Sequence, residues 1–375
     1  MSFGLGKNSP VQLGQSKKNL EALIYRQGQW VRWRIAKKCS CVDKNGYHNV
    51  HCKKCGGVGD LYDYQKEYED TFRATARGGI IEIPAEYHNA KITEIYNGHG
   101  RRLDFVQYDN FIQITDSDIK NNEQLEAVFR APLVKRLTNA VLEKAGGGYY
   151  RVPGLETEPS SHAGVYYKTS GDVLSVASLK DDEGVDVKVL GYRRDMVLAA
   201  SNADSLQAHE IDYIMPFRFV ILSQELTKED SEIVIAHKGE AVCTYPYMYN
   251  IAEHDVITVL SGSITRKAVM EKRSGGADDI MLDFFVDQID SIETTGAVFE
   301  EGKDFILVGT NKIHWIGNKP QAGEKMSVSY RYLPTYRVVK NLPMLRTSGD
   351  QRLPRKAVLA LNAAFSEKKG VNRNG

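Results

Sequence analysis

The sequence predicts a mainly β, multi-domain chain of small β-barrel or β-sandwich domains. Two observations carry that prediction. Apolar residues recur in short alternating runs separated by Gly, Asn, Asp and Pro, which is the period of a strand with one buried face. The 375 residues also exceed the roughly 250 at which a single core stops growing, so two or three domains are expected.

Each element follows from its own pattern. Leu20, Leu23 and Ile24 form a stripe that fits a short N-terminal helix from Ser16 to Arg26. "QWVRWRIA" then alternates, with Val31, Trp33 and Ile35 on one face and Trp30, Arg32 and Arg34 on the other, as a strand does. Beyond a cysteine-rich segment, "RRLDFVQY" and "NFIQIT" read as strands, and "NGHG" supplies residues tolerant of positive φ. From about Asn121 the pattern changes: "NNEQLEAVFRAPLVKRLTNAVLEKAGGGYYRVPG" fits both a helix and short strands, and the choice stays open. Two alternating runs around "KDDEG" predict a hairpin. Near Lys238 a third region opens; it ends in a strand, a "GTN" turn, a strand around Trp315, a "NKPQAGE" loop and a strand reaching Pro334. The expected boundaries are an arm and helix over 1–30, a barrel-like domain over 31–120, an inserted β-rich domain over 121–240, a further β-rich domain over 241–345, and an extension over 346–375 whose end has a disorder-like composition. No fixed repeat period recurs.

Charge excludes some partners. With 49 Lys and Arg against 48 Asp and Glu, a net charge of +1 creates no global field that would recruit nucleic acid or an anionic membrane. "MSFGLGKNSPVQLG" lacks the basic flank and apolar run of a signal peptide, and no stretch approaches the roughly 20 apolar residues of a membrane span. A soluble protein made in a reducing compartment is expected.

Four of the five cysteines fall in "CSCVDKNGYHNVHCKKCGGVG": Cys39, Cys41, Cys52 and Cys55. Four thiolates at about 2.3 Å satisfy a tetrahedral zinc ion and leave no position for water, so this spacing predicts a structural zinc knuckle inserted in the barrel-like domain. Glycine after the second pair lets backbone amides turn toward the sulfurs. Lys37, Lys38, Lys53 and Lys54 are expected to offset the negative charge of the tetrathiolate. Competing readings are a redox pair at Cys52 and Cys55, for which no βαβ context is visible, and disulfides or free thiols. His48 and His51 lie within the loop and are read as solvated residues; Cys243 is read as a core residue of a strand.

Other chemistry finds little support. No phosphate-binding glycine loop, dinucleotide turn, His-Glu-x-x-His helix or nucleophile elbow occurs in the sequence. "AGGGYY" reads as a flexible turn, and the aspartates of "DDIMLDFFVDQID" lack the spacing of a calcium loop. The basic stretch from Lys37 to Lys54, with Trp30, Trp33 and Tyr47 nearby, suits a nucleic-acid surface or docking on an acidic protein ring. A non-enzymatic protein is expected.

The order of an aromatic strand followed by "CSC…CKKCGGVGDLY" resembles the cysteine segment of tailed-bacteriophage virion proteins of the neck, or head-to-tail connector, of the head-closure or stopper type. "FEEGKDFILVGTNKIHWIGNKPQAGEKMSVSYRYLPTYRVV" and "NLPMLRTSGDQRLPRKAVL" are similar to phrases of phage structural proteins. The resemblance covers residues 15–115 and 240–360 in pieces, and the chain is longer than simple stoppers, which makes 121–240 an insertion. It implies a homo-oligomeric ring of six or twelve copies in the virion, assembled in the host cytoplasm, bound to portal or adaptor proteins on one face and tail proteins on the other. DNA would pass through its lumen and no membrane would be involved. A baseplate or other tail component and a zinc-ribbon nucleic-acid-binding protein are the alternatives.

Overall fold

A computed structural model describes residues 22, 24–49, 52, 55, 59–116, 119–157, 160–162, 165–167, 169–223, 240–272, 279–282, 286–308, 312–342, 347–348, 351–352 and 354–361. Among the described residues the chain is mainly β, with one closed six-stranded barrel, a nearly closed second barrel, one short α-helix and a 3-10 turn at Ala85–Tyr87. Residues 22 and 24–27 are helical; the rest of the helix expected over Ser16–Arg26, and the tail beyond 361, lie outside the described residues. The helix stops at Gly28, whose N–H donates to the Ile24 carbonyl at 2.7 Å. A Cβ there would stand 2.3 Å from that oxygen, so only glycine fits.

Two compact units divide the chain: residues 65–135 with 248–250 form the smaller, and the remainder forms the larger. Within the larger unit, strands Gln29–Lys38, Phe217–Ser223, Glu240–Tyr245, Arg355–Leu361, Thr335–Leu342 and Val256–Val259 pair antiparallel in that order, and the last closes back on the first. A seventh strand, Asp60–Tyr64, pairs with the far half of Gln29–Lys38, from Arg34↔Tyr64 to Lys38↔Asp60. The alternation read in "QWVRWRIA" buries Val31 and Trp33 in this barrel with Phe219, Tyr245, Ile257, Val338 and Leu359. Cys243 is fully buried there, and burial pushes its thiol pKa up, as expected of a core residue.

Sequence left residues 121–154 open between helix and strand, and they form strands: Gln124–Pro132, Val134–Gly146 and Tyr149–Arg151. The second barrel runs in the order Asp172–Asp181, Ser205–Ile214, Val134–Gly146, Tyr149–Arg151, Met196–Ala199, Val189–Arg193. Its two edge strands approach each other through Val187 N–H to Leu179 O and Val173 N–H to Arg194 O, both at 2.8 Å. The hairpin turn expected at "KDDEG" forms, with the Asp181 carboxylate accepting from the Glu183 and Val185 amides at 3.1 and 2.8 Å and Gly184 at φ 81°. Its two runs do not zip together for their full length: Asp172–Asp181 pairs with Ser205–Ile214, while Val189–Arg193 pairs with Met196–Ala199.

A four-stranded sheet (Ile264–Glu271, Lys325–Tyr332, Val286–Glu293, Val298–Phe299) and a three-stranded sheet (Asp279–Met281, Lys312–Trp315, Phe305–Val308) share a core of Ile292, Phe305, Trp315, Val328 and Tyr330. The strand pair around Trp315 is the one expected on either side of "GTN". In the smaller unit, the sheets Glu67–Thr75/Gln124–Pro132/Lys91–Asn97 and Ile80–Glu82/Phe111–Ile114/Phe105–Gln107 bury Phe72, Ile81, Ile95, Ile112, Leu125 and Phe129. "RRLDFVQY" and "NFIQIT" are its hairpin Phe105–Ile114, and Gly100 of "NGHG" takes φ 77°. Among the described residues no helix is long and apolar enough to cross a membrane.

Candidate metal centre

The cysteine segment is the tip of the hairpin between Gln29–Lys38 and Asp60–Tyr64. Few of its residues are apolar, so hydrogen bonds shape it. The Cys39 amide donates to the Gly59 carbonyl at 2.9 Å and closes the loop at its neck. In the first half, the Asp43 carboxylate accepts from the Asn45 and Tyr47 amides at 2.9 and 2.8 Å, and Gly46 takes φ 85°; together they make the tight turn that "DKNG" encodes. Val42 and His48 bridge across that turn, and the Cys52 amide donates to the Asn49 carbonyl at 3.0 Å, which starts the second half.

These turns bring all four predicted ligands together. The sulfurs of Cys39, Cys41, Cys52 and Cys55 all lie within 4.8 Å of one another. Cys39 Sγ is 3.8 Å from Cys52 Sγ, and Cys41 Sγ is 3.6 Å from Cys55 Sγ. A tetrahedron with metal–sulfur bonds of about 2.3 Å has edges of about 3.8 Å. A disulfide would need about 2.05 Å, and all four cysteines are free thiols. The donor set and its spacing therefore fit a four-thiolate metal site and are consistent with zinc. Burial, with hydrogen bonds from the neighbouring thiols adding to it, pushes the Cys41 thiol up to about 12. A bound cation reverses that balance, so binding releases protons.

Surrounding groups complete the cluster. Gly59 holds φ 88° and donates its N–H to Cys55 Sγ at 3.3 Å, the amide-to-sulfur contact anticipated from the glycines after the second pair. The Cβ of any other residue there would lie 3.1 Å from His48 Cβ. His48 is exposed and is not among the grouped ligands; His51 lies outside the described residues. The lysines behave differently from expectation. Lys37 Nζ pairs with Asp63 and Lys38 Nζ with Asp60, each at 2.9 Å, so both charges are directed at carboxylates rather than at the sulfurs. Lys53 and Lys54 lie outside the described residues.

Sequence reasoning missed the polar groups behind the knuckle, because their partners are distant in the chain. Asp60 is buried and accepts from Lys38 Nζ and, at 2.7 Å, from Arg337. Arg32, read as lying on the strand face opposite Val31 and Trp33, is 7% exposed; its Nε donates to Asp172 at 2.6 Å, and its NH2 group makes a second bond to the same carboxylate. Asp255, also buried, accepts from Trp33 Nε1 at 2.8 Å and from the Ala36 and Ala252 amides at 2.9 Å. Burial raises the Asp255 pKa even so. "AGGGYY" is a turn whose Gly146, Gly147 and Gly148 all have positive φ, as read. Asp287 and Asp290 of the aspartate-rich stretch pair with Arg194 and Arg331, which leaves them as ion-pair partners rather than cation ligands. Compared with known proteins, the chain matches no family model and no curated protein.

Proposed function

We propose that this protein is a non-enzymatic structural component of a tailed-phage neck, a subunit of the head-to-tail connector ring with a zinc-stapled hairpin. The observation that carries the reading is the four-sulfur cluster seated on a small β-barrel: a "CSC…CKKC" stretch following an aromatic strand is the feature by which the sequence resembles neck proteins. In this reading a saturated tetrathiolate has no open coordination position, so its role is to hold shape. Six or twelve copies form a ring, with portal or adaptor proteins on one face and tail proteins on the other, in the virion.

Electron microscopy of the purified protein, together with mass spectrometry of particles from the producing phage, tests the proposal. Discrete rings and presence in the neck support it. A monomer that binds DNA with a steep salt dependence favours the zinc-ribbon alternative, and a location in the baseplate favours a tail role; either result overturns it.

A further inference from the structure

The strand Asp60–Tyr64 is tied at both ends to something other than its ladder. At its start, Gly59 donates to Cys55 Sγ and accepts from the Cys39 amide, so the residue before the strand is part of the thiolate cluster. Asp60 then sits between Lys38 and Arg337, the latter on the barrel strand Thr335–Leu342, and Arg337 also reaches His254 Nδ1 at 2.6 Å. At its end, Tyr64 pairs with Arg34, two residues along the strand from Arg32, and its side chain lies beside Asp172, the carboxylate that Arg32 holds. Asp172 opens the strand Asp172–Asp181 of the second barrel and is 4% exposed. Between these ends the strand has, among the described residues, one sheet neighbour, the half of Gln29–Lys38 that runs from Arg34 to Lys38.

A short edge strand with a single partner is among the least stable parts of a sheet and opens locally before the barrel does. Its docking depends on where its first residue is held. We propose that metal occupancy of the four-cysteine cluster controls the docking of Asp60–Tyr64, and through Tyr64 the stability of the Arg32–Asp172 junction between the two barrels. The metal would thus set how firmly the second barrel is joined to the first, rather than only the shape of the loop. Asp60 is the positioning residue at one end of this link and Tyr64 at the other. The inference rests on the metal-centre reading above and extends it. Reciprocity requires that weakening the strand also weaken metal binding.

Hydrogen exchange of the full chain, with zinc bound and after chelation, tests the link. Chelation is expected to raise exchange at least about 10-fold in residues 60–64 and in the first residues of Asp172–Asp181, and to leave the smaller unit unchanged. Asp60→Asn is expected to bind about one zinc per chain with about 10-fold lower affinity, with 60–64 already exchanging faster in the zinc form. Tyr64→Phe removes only the hydroxyl; it is expected to keep zinc and the protection of 60–63, while chelation no longer alters Asp172–Asp181. If the protein as purified holds no zinc and takes up none, the metal-centre reading itself fails. If zinc binds but chelation changes exchange only within 39–59, or if Tyr64→Phe responds to chelation as the native protein does, the link between metal and barrel junction is overturned.

Discussion

Two neighbouring stretches solve the same problem in different ways. The loop 39–59 and the unit 65–135 are both short excursions from the larger unit. The second has a core of its own, with Phe72, Ile81, Ile95, Ile112, Leu125 and Phe129 buried between two three-stranded sheets. The first has none: among its described residues only Cys39 and Gly59 are buried, and Tyr47 is 74% exposed. A stretch that cannot bury enough apolar surface to offset its ordering entropy needs a cross-link, and a cluster of four cysteines that could hold a metal ion is placed to supply it. Local composition thus decides which device holds a segment, even within one chain.

The contrast can be broken from either side. The largest effect is expected at Phe129→Ala, which empties the centre of the smaller unit, where Phe129 packs on Phe72 and Tyr87. A loss of about 4 kcal/mol in denaturant unfolding is expected, equal with and without a chelator. A zinc-dependent loss would mean that the two stretches are not independent.

Next comes Cys55→Ser. Elemental analysis should fall from about one zinc per chain to none, and stability should drop by about 3 kcal/mol, the scale of a cross-link that closes a loop of this kind. Unchanged melting and metal content would remove the cluster from the account. Gly59→Ala is smaller. Its φ of 88° and the 3.1 Å approach to His48 Cβ should cost about 1 kcal/mol while zinc is retained. A neutral substitution would show that the neck of the loop is adaptable.

The smallest expected effect concerns pH. His254 accepts from Arg337 at 2.6 Å, and burial followed by the charges of Arg337 and Lys38 lowers its pKa below the usual histidine value of 6.5. The neutral ring is the form that the fold favours. Its contribution is present above 6.5 and is lost as pH falls from there through the lowered value. Stability curves of the native chain and His254→Asn should converge as pH drops below 6.5, and parallel curves would show that the ring plays no part.

Much of this was legible in the sequence because it depends on near neighbours. Alternation placed Val31 and Trp33 inside and identified the strands on either side of "GTN". The spacing of four cysteines named every member of the cluster that could hold a metal ion, since turns at Asp43 and Gly46 can be read from a few residues. The stretch from 121 to 154 resisted, because its apolar positions fit two periods until the sheet supplies partners for one of them.

What the sequence determined by itself was the strand character of the chain and the four cysteines of the candidate metal centre, both set by short-range pattern. Tertiary structure alone decided closure and charge pairing. Gln29–Lys38 finds barrel partners as far along as Val256–Val259, Asp60 is met by Arg337, and Arg32, on the strand face opposite Val31 and Trp33, becomes the buried partner of Asp172. The physical reason is that a buried guanidinium or carboxylate is tolerated only where its partner also arrives, and arrival across more than a hundred residues is a property of the assembled sheets.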